Sequence, residues 1–157
     1  MEDNDPILLS EDEMRMGAAI EEAGKSAAIG EVPVGAVLVL SGRIIARAGN
    51  NVRTSCDPSG HAEIRVLRQA ARKIGNYRLP DAVVYVTLEP CPMCAAALVH
   101  ARIARLVFGA VDPKGGGVVS KYGIGGDGLL NHRFSVTGGI LQGKCSRLLR
   151  DFFQKRR

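Results

Sequence analysis

Ala82-Val83-Val84-Tyr85-Val86-Thr87-Leu88-Glu89-Pro90-Cys91-Pro92-Met93-Cys94 decides how the rest of the chain is read. Ala82 to Leu88 is rich in Val, Tyr and Thr with little polarity, which predicts a buried strand. Pro90 and Pro92 end it. Pro92 suits the first turn of a helix, where a missing N–H costs nothing, and Ala95 to Ala101 continue that helix.

Working outward, the same alternation recurs. Arg105 to Ala110 is another buried strand. Upstream, Val34 to Leu40 is a continuous apolar run, Ser41-Gly42 a turn, and Arg43 to Ala48 a second strand, which together read as a hairpin. Residues 49–60 form a loop rich in turn formers, and a helix runs from His61 to Ile74, closed by Gly75. Near the start, Ser10 with Glu13 reads as a capping box. It opens a helix over 10–29 with Gly30 beyond its end, and leaves residues 1–9 as a loosely held tail. Downstream, 112–130 is glycine-rich and irregular, and Arg133 to Thr137 is a short strand. Lys144 to Gln154 is a closing helix with Leu148, Leu149, Phe152 and Phe153 on or near one face. Strands alternating with helices predict an α/β fold with a sheet covered on both faces. The hairpin makes that sheet mixed.

The chain has 157 residues, which fits one domain over 1–157. A chain of this length buries about 70% of its unfolded surface, so it needs no metal or disulfide staple. The formal charge of +5 and pI of about 9.3 permit an anionic partner such as nucleic acid without requiring one. Met1 to Asp5 is acidic, unlike a signal peptide, and no apolar run approaches membrane-spanning length. Four cysteines, two in a C-x-x-C, suit a reducing cytoplasm.

His61-Ala62-Glu63 and Pro90-Cys91-Pro92-Met93-Cys94 carry the chemistry. Catalytic zinc takes three protein ligands and keeps the fourth position for water, and His61, Cys91 and Cys94 would make such a set, one Zn2+ per chain. Both motifs fall where a helix begins, and a helix N-terminus favours thiolate over thiol. Cys91 and Cys94 share a helix face. Glu63 would reach the site over its helix end as a free carboxylate that moves protons.

Other readings of these residues make different predictions. A closed structural site needs a fourth ligand, for which Cys56 is the candidate, and has no use for Glu63. A redox pair has no use for His61 or Glu63. Cys145 and His100 read as packing residues, and His132 as a loop residue. The glycines of 115–117 and 123–128 lack the Gly-Lys-Ser/Thr order of a phosphate loop. Phe152-Phe153 with Lys155-Arg156-Arg157 pairs aromatic faces with cations, as single-stranded nucleic-acid sites do, or is a solvated last turn.

H-x-E followed by P-C-x-x-C resembles the signature of zinc nucleobase deaminases, which by itself would indicate only the wider cytidine-deaminase-like superfamily. The flanking segments narrow this. Glu31 to Val37, Asp57-Pro58, Asn76-Tyr77-Arg78-Leu79, Tyr85 to Cys94, Val107 to Ala110, Asn131-His132-Arg133 and Phe152-Phe153 resemble the bacterial tRNA-specific adenosine deaminase family. The resemblance implies a three-layer α/β/α sandwich with a mixed five-stranded sheet. It also implies hydrolytic deamination of the wobble adenosine, position 34, of a tRNA anticodon stem-loop to inosine and ammonia. His61, Cys91 and Cys94 match the family's zinc ligands, and Glu63 matches its proton shuttle. Asn50 matches an asparagine that bonds the base, and Pro33 and Val34 match the pocket wall. Asp112, Lys114, Phe153 and Arg156 match positions near bound RNA. A homodimer is implied. The chain departs at Gly60, where the family usually has alanine or threonine, and over Pro113 to Ser120. The alternative is a zinc deaminase of free nucleobases or nucleosides, of guanine or cytosine type. A nucleic-acid-binding module with a structural zinc is a third reading, and it predicts four protein ligands.

Overall fold

A computed structural model describes the backbone of residues 6–156 and the side chains of residues 11–156. Its elements run α1 (Pro6–Ala28), β1 (Gly35–Leu40), β2 (Arg43–Gly49), α2 (Ala62–Ile74), β3 (Val83–Leu88), α3 (Pro92–His100), β4 (Arg105–Ala110), β5 (Ser135–Thr137) and α4 (Gln142–Gln154). One five-stranded sheet has the order β2-β1-β3-β4-β5. β1 pairs antiparallel with β2 and β3, whereas β3–β4 and β4–β5 are parallel.

The period-2 alternation of buried strands divides the core in two. Ala36, Leu38, Val84, Val86, Leu106 and Phe108 face α2 and α3, packing on Val66, Ala70, Leu98 and Val99. Val37, Val39, Tyr85 and Val107 face the other way, onto Met16 and Ala19 of α1 and Cys145 of α4. The result is the three-layer α/β/α sandwich.

Two glycines let α1 lie close on this sheet. A Cβ on Gly35 would run into the backbone of Ala19 and Ala23, and one on Gly49 into Ser26 and the Glu22 carbonyl. The closeness has a consequence for the site. Ser26 Oγ donates to the Asn50 carbonyl at 2.9 Å, fixing the chain where β2 ends. A partly buried ion pair ties the same helix to β4, on the other side of β3. Arg105 donates twice to Asp12, at 3.0 and 2.7 Å, and Tyr85 OH donates to it at 2.7 Å.

Several boundaries differ from the sequence reading. α1 begins at Pro6, so Ser10 lies a turn inside the helix and not at its N-terminus. A proline in the first helical turn is itself a start signal. Residues 6–9 therefore belong to a helix, and residues 1–5 of the expected tail lie outside the described part. α1 ends at Ala28, with Gly30 left-handed at φ 81°. α4 starts two residues earlier than expected, at Gln142, behind Leu141 in a left-handed conformation. β5 is confined to three residues. Cys145 is buried as expected, and burial pushes its thiol up to about 11. His100 does not pack in the core: it ends α3 exposed to solvent.

Candidate active site

The two motifs meet at the carboxyl ends of β3 and β4, where open α/β sheets place their ligands. His61 is the N-cap of α2 and Cys91 the N-cap of α3. Both are extended, and neither side chain makes a capping bond. Their side chains are therefore left for other work. His61 Nδ1 lies 3.6 Å from Cys91 Sγ and 3.4 Å from Cys94 Sγ, and one donor atom from each of the three falls within 4.8 Å of the others. Tetrahedral zinc, with about 2.3 Å to sulfur and 2.0–2.1 Å to nitrogen, sets sulfur and nitrogen about 3.6 Å apart. The donor set and its spacing suit that ion.

Electrostatics favour a cation here too. The Cys94 thiol donates to Cys91, and with the His61 contact this holds Cys91 down to about 4. Cys94 is pushed up by the same bond and by burial. The Cys91 bond raises His61. Glu63, 3% exposed, is pushed up to about 7 by burial, opposed by its own backbone N–H and by His61. It sits in the first turn of α2 and folds back over the helix end.

A cavity of about 250 Å³ joins these groups. Val32, Val34, Asn50, His61, Glu63, Leu88, Glu89, Cys91 and Asp112 line it. Its volume lies below the ~300–1,000 Å³ of a pocket for a drug-sized ligand, which suits a single flat base. Asn50 is held by its backbone: its N–H donates to the Val34 carbonyl at 2.9 Å, and its carbonyl takes the Ser26 bond. The residue lines the cavity.

The remaining expected residues are dispersed. Pro33 is buried between two lining residues but does not line the cavity itself. Lys114 is exposed on the loop after Asp112. Phe153, half exposed, and Arg156 lie at the end of the chain. Arg156 lines a separate groove of about 320 Å³ with Ala27, Leu148, Asp151, Phe152 and Lys155. The cation–aromatic contact is Arg156 over Phe152, at 4.0 Å to the ring centroid, not over Phe153. Cys56 is exposed, its Sγ 3.8 Å from the Arg53 carbonyl, and stands outside the His61 cluster. His132 Nε2–H donates to the Ile103 carbonyl at 2.8 Å.

Two acids were missed by sequence reasoning. Glu31, 1% exposed, accepts the Arg53 and Thr54 N–H groups and the Thr54 hydroxyl, which holds the loop before α2. Glu89 does the same for the loop after β4. Glu89 stands beside Pro90 at the end of β3, but Glu31, two residues before Pro33 in the link from α1 to β1, carries no such local mark. Gly60 is also explained: a Cβ there would come within 2.6 Å of the Asn51 side chain. With its amide turned accordingly, that side chain donates to the Gly60 carbonyl and accepts from Arg65.

A family model for MafB19-like deaminases matches residues 10–157. A tRNA-specific adenosine deaminase of Haemophilus influenzae is 51% identical over 147 residues, 93% of this chain and 85% of the relative. A solved structure from a study of A-to-I editing by tRNA:A34 deaminases at the wobble position superimposes with a TM-score of 0.84. It shares 47% identity and is covered over 87% of this chain and 99% of that one. A guanine deaminase from Nitrosomonas europaea gives 0.78 at 27% identity, over 89% of this chain and 83% of that one. Half-identity along nearly the whole chain, on a shared fold, decides the kinship: this chain belongs to the family of tRNA-specific adenosine deaminases, within the MafB19-like deaminases.

Proposed function

We propose that this protein hydrolyses the wobble adenosine of a tRNA anticodon stem-loop to inosine, releasing ammonia. The observation that carries the reading is a buried carboxyl, Glu63, that shares one cavity with the His61, Cys91 and Cys94 donors and with Asn50.

His61, Cys91 and Cys94 would hold one zinc ion per chain, which when bound supplies an activated water. Glu63 takes a proton from the attacking water, passes it to the ring nitrogen, and carries a second to the departing amine. Its burial keeps it near neutrality in proton affinity, so it can both accept and donate. Asn50 faces the cavity with its amide free to bond the base edge, and Val32, Val34 and Leu88 pack on the ring. The base must leave its stack to enter, which a single-stranded loop makes inexpensive.

Kinship with tRNA deaminases supports an RNA substrate, and the basic charge agrees with it. A homodimer acting in the cytoplasm belongs to the same reading. Among the described residues no helix is long and apolar enough to cross a membrane.

The test incubates purified protein with a tRNA bearing adenosine 34 and sequences the product after reverse transcription. Conversion at that position alone is expected. Conversion of free guanine, adenine or cytosine with none on tRNA would replace this reading by the free-base alternative.

A further inference from the structure

Glu89 lines the cavity and is 2% exposed, yet the chemistry above does not use it. Its carboxylate is occupied by one loop. Oε1 accepts the Asp112 N–H at 3.0 Å and the Ser120 hydroxyl. Oε2 accepts the N–H groups of Val118, Val119 and Ser120, at 3.3, 2.9 and 2.9 Å. Both ends of the 112–120 loop thus hang on one side chain.

The loop has been shaped to reach it. A Cβ on Gly116 would run into the Glu89 carboxylate, and one on Gly117 into the backbone of Cys91 and Pro92. The Gly117 N–H donates to the Pro90 carbonyl at 2.7 Å. At the loop's start, Asp112 sits on the cavity edge and its Oδ1 accepts the Lys114 and Gly115 N–H groups. Lys114 and Lys121 are exposed on the loop and just beyond its end, so the loop that Asp112 joins to the cavity carries cations on its solvent side.

We propose that Glu89 is a positioning residue. It fixes the 112–120 loop as the RNA-side rim of the cavity, and so governs engagement of the polynucleotide and not proton transfer by Glu63. This rests on the tRNA reading above. A charge-assisted acceptor bonding several N–H groups in a buried site is strong enough to set a loop's position. A merely structural role would lower stability and turnover together, with no preference for binding.

The test measures steady-state kinetics on an anticodon stem-loop for the wild type, Glu89→Gln, Gly116→Ala and the double variant, with zinc per chain determined for each. Gly116→Ala breaks the same contact from the loop side without touching the β3–α3 junction, so it decides the matter if Glu89→Gln does not fold. Each single variant is expected to raise KM by about tenfold, with kcat within about threefold of wild type and zinc unchanged. The double variant should be no worse than the worse single, because both remove one contact. An unchanged KM in Gly116→Ala, or a loss confined to kcat, overturns the proposal. A wild type that converts free bases but not the stem-loop overturns the functional reading instead, and this one with it.

Discussion

The backbone N–H of Asn50 donates to the carbonyl of Val34 at 2.9 Å. The two ends of the β1–β2 hairpin are thereby locked together where both line the cavity. The backbone fixes Asn50, and on the proposed reading its side chain bonds the base. Asn50→Ala should therefore lower kcat/KM on the stem-loop by about 10²-fold, the scale of a lost buried polar contact to substrate. Thermal unfolding should barely move. A large fall in Tm would show the amide to be structural.

Removing metal tests the donor cluster. Wild-type protein should carry one zinc per chain by elemental analysis. Cys91→Ser should lose most of it, since a hydroxyl replaces a thiolate already held low in proton affinity. Chelation should abolish conversion, and added zinc restore it. The fold should survive, because the core described here does not depend on a metal staple.

The Asp12–Arg105 pair makes a stability prediction with a defined pH sign. Burial would raise the Asp12 carboxyl, but bonds from Arg105 and Tyr85 outweigh it and hold the group below its ordinary 3.8. A depressed folded value stabilises fully above about pH 4, and that stabilisation is lost as pH falls through the folded value. Arg105 keeps 23% of its side chain exposed, so Asp12→Asn should cost at the low end for a broken buried pair, about 3 kcal/mol at pH 7. The gap between wild type and Asp12→Asn in denaturant melts should narrow below pH 4. A gap that stays constant down to pH 2 would contradict the assignment.

The glycines of α1 and its neighbours separate two effects. Gly35→Ala would press a methyl onto helix backbone that cannot swing aside, costing about 1–3 kcal/mol by overpacking. Gly24→Ala has nothing within 4 Å and should gain about 0.5–1 kcal/mol of helix stability. Opposite shifts in Tm are expected.

What could be read from the chain follows from what is local in it. Strand runs such as Val83–Leu88, and the helix N-termini carrying His61 and Cys91, are written in adjacent residues and emerge with nearly the expected bounds. The start of α1 was misplaced because Ser10 and Glu13 imitate a cap, while the effective signal was Pro6. Glu31 and Glu89 were missed for a different reason. Their partners lie 22–31 residues away, and only folding shows which loop each carboxylate holds. Asn50 was proposed for recognition through the resemblance alone; spacing offered no reason to choose it over Asn51, whose side chain serves the loop around Gly60.

The most direct test of the central claim, that Glu63 moves the protons and binds no metal, is single-turnover conversion of the stem-loop by zinc-loaded Glu63→Ala beside wild type. Conversion should fall by about 10²–10⁴-fold, the range for a lost general acid–base group, with zinc still at one per chain. Full turnover with zinc bound would contradict the account, because the buried carboxyl beside the His61 cluster would then have no part in the reaction.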